Sequence, residues 1–141
     1  MKIAVRYYSR SGNTKKLAEA IAEAVHAEAK TTDEPLREDV DILFLGSSVY
    51  ANGVDANIKM FIQNLNVKVG KVVNFSTAAL VKSTYKQVGK LLVEKHTPLA
   101  QEEFYCRGSF AMLHRGRPDE RDLKTAMSFA ATIAGSQQRS D

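Results

Sequence analysis

Six consecutive residues near the start of the chain carry side chains that can bind an anion. The stretch SRSGNT places three hydroxyl groups, an amide and a guanidinium around one glycine. A plain turn or a helix cap needs only one or two such groups. The set therefore favours a phosphate cradle, in which the glycine allows close approach of the backbone. Its members are Ser9, Arg10, Ser11, Gly12, Asn13 and Thr14.

The surrounding sequence limits the kind of phosphate that this loop can hold. No Walker-type lysine–serine pair follows the loop, and the chain contains no G-x-G-x-x-G, so triphosphates and dinucleotides are poor candidates. A helix is predicted to begin at Asn13 or Thr14, with its N–H groups and dipole facing the loop. We therefore expect a terminal phosphate monoester, bound without a metal ion.

Other chemistry finds little support in the residue types. A low-molecular-weight phosphatase needs a cysteine in the first loop, and a phospho-receiver needs aspartates after two strands; the chain has neither. The single cysteine, Cys106, is predicted to be a small core residue rather than a nucleophile. The three histidines (His26, His96 and His114) are scattered, so we predict no metal site and no catalytic acid, base or nucleophile.

Composition indicates one globular domain, residues 1–141. Hydrophobic residues make up 44% and charged residues 26% of the chain, which is ordinary for such a domain. No apolar run is long enough to span a bilayer, and the first residues enter a strand without a secretory segment, so we expect a cytoplasmic protein. The net charge of +4 is dispersed, which argues against a nucleic-acid partner.

Strand-like and helix-like segments alternate along the chain. Predicted strands cover 2–8, 41–48, 71–77 and 103–110, and predicted helices cover 17–29, 57–65, 82–95 and 117–134. A short edge strand near 29–32 would complete the set. Such alternation predicts right-handed βαβ units in a three-layer α/β/α, doubly wound fold. We expect a five-stranded parallel sheet in the order 2-1-3-4-5, with ligands bound beyond the carboxyl ends of its strands, at loops 9–14, 47–53 and 76–83.

The stretch YYSRSGNTKKLAEAI (7–21) resembles the signature of the flavodoxins, small proteins that carry FMN and transfer single electrons. The matching positions are Tyr7, Ser9, Gly12, Thr14, Ala18 and Ile21. The segment 39–65 resembles the third strand, ring-binding loop and second helix of the family, and the likeness covers almost the whole chain. Arg6 departs, because the family usually has an apolar residue there. A buried arginine needs a partner, so Arg6 either pairs with a carboxylate such as Asp33 or Asp41 or reaches the ligand.

The resemblance implies two further cofactor-binding segments. In the second loop Tyr50 would stack on the flavin ring, and the Asn52–Gly53 turn would let a peptide rotate at low cost. In the third, backbone groups would meet the pyrimidine edge of the ring, although this loop lacks the second aromatic and the acidic residues common in the family. The residues implied are Ser48, Val49, Tyr50, Ala51, Asn52 and Gly53, and then Ser76, Thr77 and Ala78.

The function that the resemblance implies is electron transfer by bound FMN between protein partners, by a carrier rather than an enzyme. We expect a monomer whose basic balance suits redox partners with an acidic docking face. Three alternatives stay open: a small flavin reductase, a dedicated redox partner of one metalloenzyme, and a flavodoxin-like ligand-binding module without redox function.

Overall fold

The computed structural model describes residues 1–49, 54–78, 83–108 and 116–140, and these residues form one sheet with four helices. The strands are β1 (Ile3–Tyr7), β2 (Ala29–Thr31), β3 (Val40–Val49), β4 (Val69–Ala78) and β5 (Leu99–Arg107). The helices are α1 (Asn13–Ala24), α2 (Ala56–Gln63), α3 (Tyr85–Glu94) and α4 (Glu120–Ser140).

All strand pairs are parallel, and the five strands lie in the order β2-β1-β3-β4-β5. This confirms the predicted doubly wound fold and its strand order. The point where the strand order reverses lies between β1 and β3, and the loops that follow these strands meet there. The short edge strand is present, although it covers only three residues.

Two apolar clusters fill the space between the sheet and its helices. On one face Phe44 and Phe75 pack with residues of α1 and α4; on the other, Leu43 and Leu45 pack with residues of α2 and α3. Successive residues of a strand therefore point to opposite helix layers, and both faces of the sheet are covered by apolar side chains. The predicted inward residues of α2 are all buried: Ile58, Phe61, Ile62 and Leu65.

Gly46 on β3 is required by the packing of the neighbouring strand. A Cβ atom at this position would lie 2.1 Å from the Phe75 ring of β4. No real side chain tolerates that distance, so any larger residue would displace a fully buried aromatic ring.

Several predicted boundaries differ from those of the structure. Helix α1 ends at Ala24 rather than at 29, and His26 follows with φ 58°, in the left-handed region that ends many helices. The next residues belong to β2, whose pairing with β1 overrides the helix preference of their Ala-rich sequence. Strand β5 begins at Leu99, four residues before the prediction, and ends at Arg107.

The two edges of the sheet are unequal. β2 closes one edge with three residues, whereas β5 leaves nine residues on the other. Pairing of β5 with β4 shifts in register between Val72 and Asn74, and Glu102 on β5 is exposed. No described helix combines the length and the apolarity that crossing a bilayer requires.

Candidate functional site

The start of α1 is open. Gly12 occupies the N-cap position with φ 91° and has no side chain with which to cap the helix. The N–H of Gly12 donates to Ser9 Oγ at 3.0 Å, which folds the loop back on itself. A Cβ added to Gly12 would have nothing within 4 Å, so space remains in front of the helix. The dipole and first N–H groups of α1 thus face an accessible turn.

Behind this turn lies a buried cluster of three hydroxyl groups, the hydroxyl trio, formed by Thr14, Ser48 and Thr77. Thr14 Oγ1 lies 2.6 Å from Ser48 Oγ and 2.8 Å from Thr77 Oγ1. All three side chains are buried, and Ser48 and Thr77 pair in register on β3 and β4. The trio joins the first loop to the ends of two central strands. Ser48 and Thr77, the last residues of the predicted strands 41–48 and 71–77, lie within β3 and β4, and each strand continues for one residue more.

Asn13 is fixed from the other side by the end of β5. Its side chain is buried, and a Cβ added to Gly108 would lie 2.8 Å from its amide nitrogen Nδ2. Gly108 thus allows the chain after β5 to approach the start of α1. Sequence reasoning missed this glycine, although its place directly after a strand is a signal for close backbone approach.

Arg10 connects the first loop to α2. Its guanidinium pairs with the Asp55 carboxylate at 3.0 Å, and Asp55 also caps α2 by accepting the Asn57 N–H at 2.9 Å. Burial alone would raise the pKa of Asp55, but the hydrogen bonds from Asn57 and the Arg10 charge outweigh it and hold that pKa below its ordinary value. Asp55 was also missed, although an aspartate directly before an apolar-periodic segment is a typical N-cap signal.

Four of the predicted ring-binding residues, Tyr50, Ala51, Asn52 and Gly53, lie outside the described residues. The segments 79–82 and 109–115 lie outside them as well. Val49 is the last residue of β3. Ser76 and Ala78 are among the last three residues of β4, and both are buried. The described residues of the three predicted segments therefore meet at the carboxyl ends of the strands.

A second polar network supports β4 on the side of α3. Asn74 Nδ2 donates to Thr84 Oγ1 at 3.0 Å, and Ser47 Oγ donates to the same oxygen at 3.0 Å. Glu103 on β5 accepts a hydrogen bond from Ser83 Oγ at 3.3 Å. The network thus holds Ser83 and Thr84, the first two described residues after the segment 79–82. Within the described residues, the hydroxyl of Ser76 is buried without a hydrogen-bond partner.

Cys106 is buried in β5, as predicted for a core residue. Burial raises the pKa of the Cys106 thiol to about 12, so a thiolate is not available at neutral pH. Near the start of α4, Arg117 forms two hydrogen bonds to the Asp122 carboxylate, one of them at 2.8 Å from its terminal nitrogen. Two of the basic residues near the carboxyl ends of the strands, Arg10 and Arg117, are therefore neutralised by carboxylates.

The donor set at the start of α1 fits a phosphate monoester. The loop 9–14 contains hydroxyl, amide and guanidinium groups but no carboxylate, and the nearby Asp55 charge is already matched by Arg10. The open space at Gly12 faces the positive end of a 12-residue helix, where an anion is stabilised. These are the requirements of the phosphate end of a nucleotide such as FMN.

Residues 4–114 match the flavodoxin domain family. No curated protein sequence matches the chain.

Solved structures with the same fold include several flavodoxins. A flavodoxin from the domain Archaea is 17% identical with a TM-score of 0.78, over 96% of this chain and 98% of that one. Flavodoxin 2 from Bacillus cereus is 21% identical with a TM-score of 0.72, over 96% and 99%. A flavodoxin, WrbA-like protein from Agrobacterium tumefaciens is 17% identical with a TM-score of 0.72, over 97% of each chain. At these identities the likeness shows the fold.

Proposed function

Because this chain belongs to the flavodoxin family, we propose that it is an electron carrier that binds FMN and serves protein partners. FMN is the cofactor that family membership implies. The observation that carries the proposal is the open start of α1, where Gly12 leaves space and has no side chain with which to cap the helix. A helix start of this kind is completed by an external anion, and the phosphate of FMN supplies one.

FMN and the protein would have separate roles in this function. FMN, when bound, supplies the one-electron chemistry, and the protein supplies binding, orientation and a local field. Ser9, Ser11 and the N–H groups at the start of α1 would hold the phosphate. Arg10 would neutralise charge beside it while remaining tied to Asp55. The hydroxyl trio would act behind this shell by fixing the distance from α1 to the ends of β3 and β4.

The ring would lie over the segments that follow β3 and β4. We propose Tyr50 as the stacking residue, with Val49, Ala51, Asn52 and Gly53 around it. Ser48, Ser76, Thr77 and Ala78 would place these segments rather than line an open loop, since their strands continue to Val49 and Ala78. The Ser83–Glu103 hydrogen bond supports this by anchoring the residue after the segment 79–82.

The partner that the charge favours is a redox protein with an acidic docking face, met by a monomer in the cytoplasm. The chain has a net charge of +4, which steers an acidic partner toward it. Because Arg10 and Arg117 are paired with carboxylates, the positive electrostatic potential near the carboxyl ends of the strands is weaker than the number of basic residues suggests. Steering should therefore weaken strongly as ionic strength rises.

The test is FMN binding by the purified chain, with riboflavin as the matched ligand that lacks the phosphate. We expect FMN to bind at least about a hundredfold more tightly than riboflavin, the contribution of two charge-assisted hydrogen bonds. The loaded protein should then accept electrons one at a time in stepwise reduction, followed by absorption. Equal affinity for both flavins would refute the phosphate site, and a chain that binds neither would be a ligand-binding module of another kind.

A further inference from the structure

Arg6 is a buried charge that the proposed FMN site does not use. It lies on β1 and is only 8% exposed. Its neighbours Val5 and Tyr7 pack into the cluster beside α1 and α4, whereas Ala4 and Tyr8 pack on the opposite cluster. Arg6 therefore points away from α1, toward the face of the sheet that carries α2 and α3.

The structure pairs Arg6 with neither of the carboxylates predicted from the sequence, Asp33 and Asp41. Its Nε donates to the main-chain carbonyl of Glu34 at 2.8 Å, and one terminal nitrogen donates to the carbonyl of Val5 at 3.1 Å. Among the described residues, its second terminal nitrogen has no acceptor and no carboxylate lies within ion-pairing distance. Ser76 Oγ is the only buried side-chain polar atom without a partner in the described part of the chain, so this second terminal nitrogen of Arg6 reaches the surface, where an external acceptor can meet it.

Arg6 lines a concavity of about 370 Å³, together with residues of β1, β2 and the segment 34–38. Lys30 pairs with Arg6 in register across the two strands, so their side chains share one face. Like charges side by side on neighbouring strands destabilise a sheet. Arg37 also lines the concavity, and neither Lys30 nor Arg37 has an ion-pair partner among the described residues.

Carboxylates are present in the concavity but leave the cations in excess. The lining contains four cationic residues, Lys2, Arg6, Lys30 and Arg37, and three acidic ones, Glu28, Glu34 and Glu38. Lys2 and Glu38 pair with each other at 2.9 Å and so cancel. Burial lowers the pKa of Arg6, and the charges of Glu34 and Glu28 oppose this effect. Arginine nevertheless stays protonated throughout the physiological range.

We propose that this concavity is a second binding site, which takes a small molecule bearing an oxyanion, either a carboxylate or a phosphate. The free edge of the Arg6 guanidinium would donate to the oxyanion, and Lys30 would add charge from the neighbouring strand. The volume lies within the ~300–1,000 Å³ range of small-molecule sites. The recessed position of Arg6 favours a small ligand over a protein surface, because only a slender group can reach it.

This site is separate from the start of α1. The hydroxyl trio packs on the face of α1 and α4, whereas Arg6 points to the opposite face of the same sheet. The proposal does not depend on FMN, and the two sites can be occupied together. Failure of FMN binding would leave it intact.

The experiment is titration of the full chain with succinate, and in a second series with inorganic phosphate, followed by NMR. The signals to observe are the Arg6 side-chain Nε–H and the backbone amides of Lys30 and Glu34. We expect saturable shifts in all three, with and without FMN present. The Arg6 readout separates this site from phosphate bound at the first loop, whose signals belong to residues 9–14.

The variants are Arg6→Gln, Lys30→Gln and, as a control with the same charge change, Arg121→Gln on the exposed surface of α4. Arg6→Gln should weaken binding at least about tenfold, the effect of losing one charge-assisted hydrogen bond. Lys30→Gln should weaken it less while leaving Arg6 in place, which keeps the test valid if Arg6→Gln does not fold. Arg121→Gln should bind as the wild type does.

Three results would overturn the proposal. The first is the absence of a saturable shift at Arg6 with either ion. The second is an equal loss of binding in all three variants, which would reduce the effect to net charge. The third is a response at Arg6 to a polyglutamate peptide but to neither small ion, which would make the concavity a docking site for an acidic segment of a partner protein.

Discussion

The helices α1 and α2 begin close together, beyond the carboxyl ends of the strands, but they complete their first turns differently. α2 begins with Asp55, whose carboxylate accepts the Asn57 N–H and supplies a negative charge to the helix start. α1 begins with Gly12, which has no side chain that could cap the helix. One helix thus contains its own anion, whereas the other has none at this position, where we propose that the phosphate binds.

Arg10 makes the contrast sharper. It lies in the loop before α1, yet it pairs with the carboxylate at the start of α2. The anion of α2 is therefore neutralised where it would otherwise repel a phosphate at α1. A binding site for an anion needs suitable donors, and it also needs the nearby carboxylates to be matched.

The largest effect should come from making α1 resemble α2. Gly12→Asp places a carboxylate in the open space, about 5 Å from a bound phosphate dianion, and repulsion from its two charges costs about 3 kcal/mol at an effective dielectric of ~40. FMN affinity, measured by quenching of flavin fluorescence, should fall roughly a hundredfold, and riboflavin affinity should change far less. Gly12→Asn is the control, because it carries the same backbone cost at positive φ without the charge. An equal loss in both variants would remove charge as the cause.

The next effect concerns the hydroxyl trio. Thr14→Val keeps the shape of the side chain but leaves Ser48 and Thr77 with only each other, at 3.5 Å. Urea unfolding should show a loss of about 1–3 kcal/mol in the free energy of unfolding, the cost of buried groups that lose a partner.

Ser11→Ala is expected to have the opposite effect to Thr14→Val, because Ser11 is exposed at the turn. It should leave the free energy of unfolding unchanged and weaken FMN binding by about 1.5 kcal/mol or more, as one hydrogen bond to a charged group requires. If Thr14→Val weakened FMN binding at unchanged stability, its hydroxyl would belong to the ligand and not to the trio.

A smaller effect is expected at the start of α2. Asp55→Ala removes the cap and should destabilise the protein by about 1 kcal/mol, whereas Asp55→Asn retains a capping oxygen and loses only the charge. Since the pKa of Asp55 is lowered in the folded protein, its charge stabilises the fold above its ordinary pKa of 3.8. The stability difference between wild type and Asp55→Asn should therefore persist at pH 7 and disappear as the pH falls through the lowered pKa. A difference that grew toward acid pH would contradict this sign.

The smallest effect belongs to Arg10→Gln. The arginine is exposed, so its pair with Asp55 should contribute little to folding stability. Its loss should instead reduce FMN affinity modestly at low salt, because the Asp55 charge is then unmatched, and the reduction should vanish at high ionic strength. The measurement is FMN titration of both proteins across a salt series. A reduction independent of salt would indicate a direct hydrogen bond from Arg10 to the phosphate.

The fold was largely predictable because it depends on repeating patterns. The apolar period of α2 and the continuous apolar run of β3 are local signals, and the alternation of elements then restricts the topology. The end of α1 was not predictable in the same way. The residues after Ala24 favour helix, and only the pairing of Val5 with Ala29 in the folded sheet shows why the helix stops.

The candidate site was predictable to a smaller degree. The first loop has a strong local pattern, but the partners of its side chains come from distant parts of the chain. Asp55 lies 45 residues from Arg10, and Thr77 lies 63 residues from Thr14. Arg6 was predicted to pair with a carboxylate or to reach the ligand, and it donates instead to main-chain carbonyls, which no residue pattern indicates.

The unequal edges of the sheet bear on self-assembly. An edge strand can pair with a strand of a second molecule, and β5 is the longer of the two edge strands that the described residues form. Its register shift against β4 interrupts the regular ladder, and the exposed Glu102 places a charge on this strand. Both features oppose the addition of a further strand at β5 and thereby oppose fibrous aggregation.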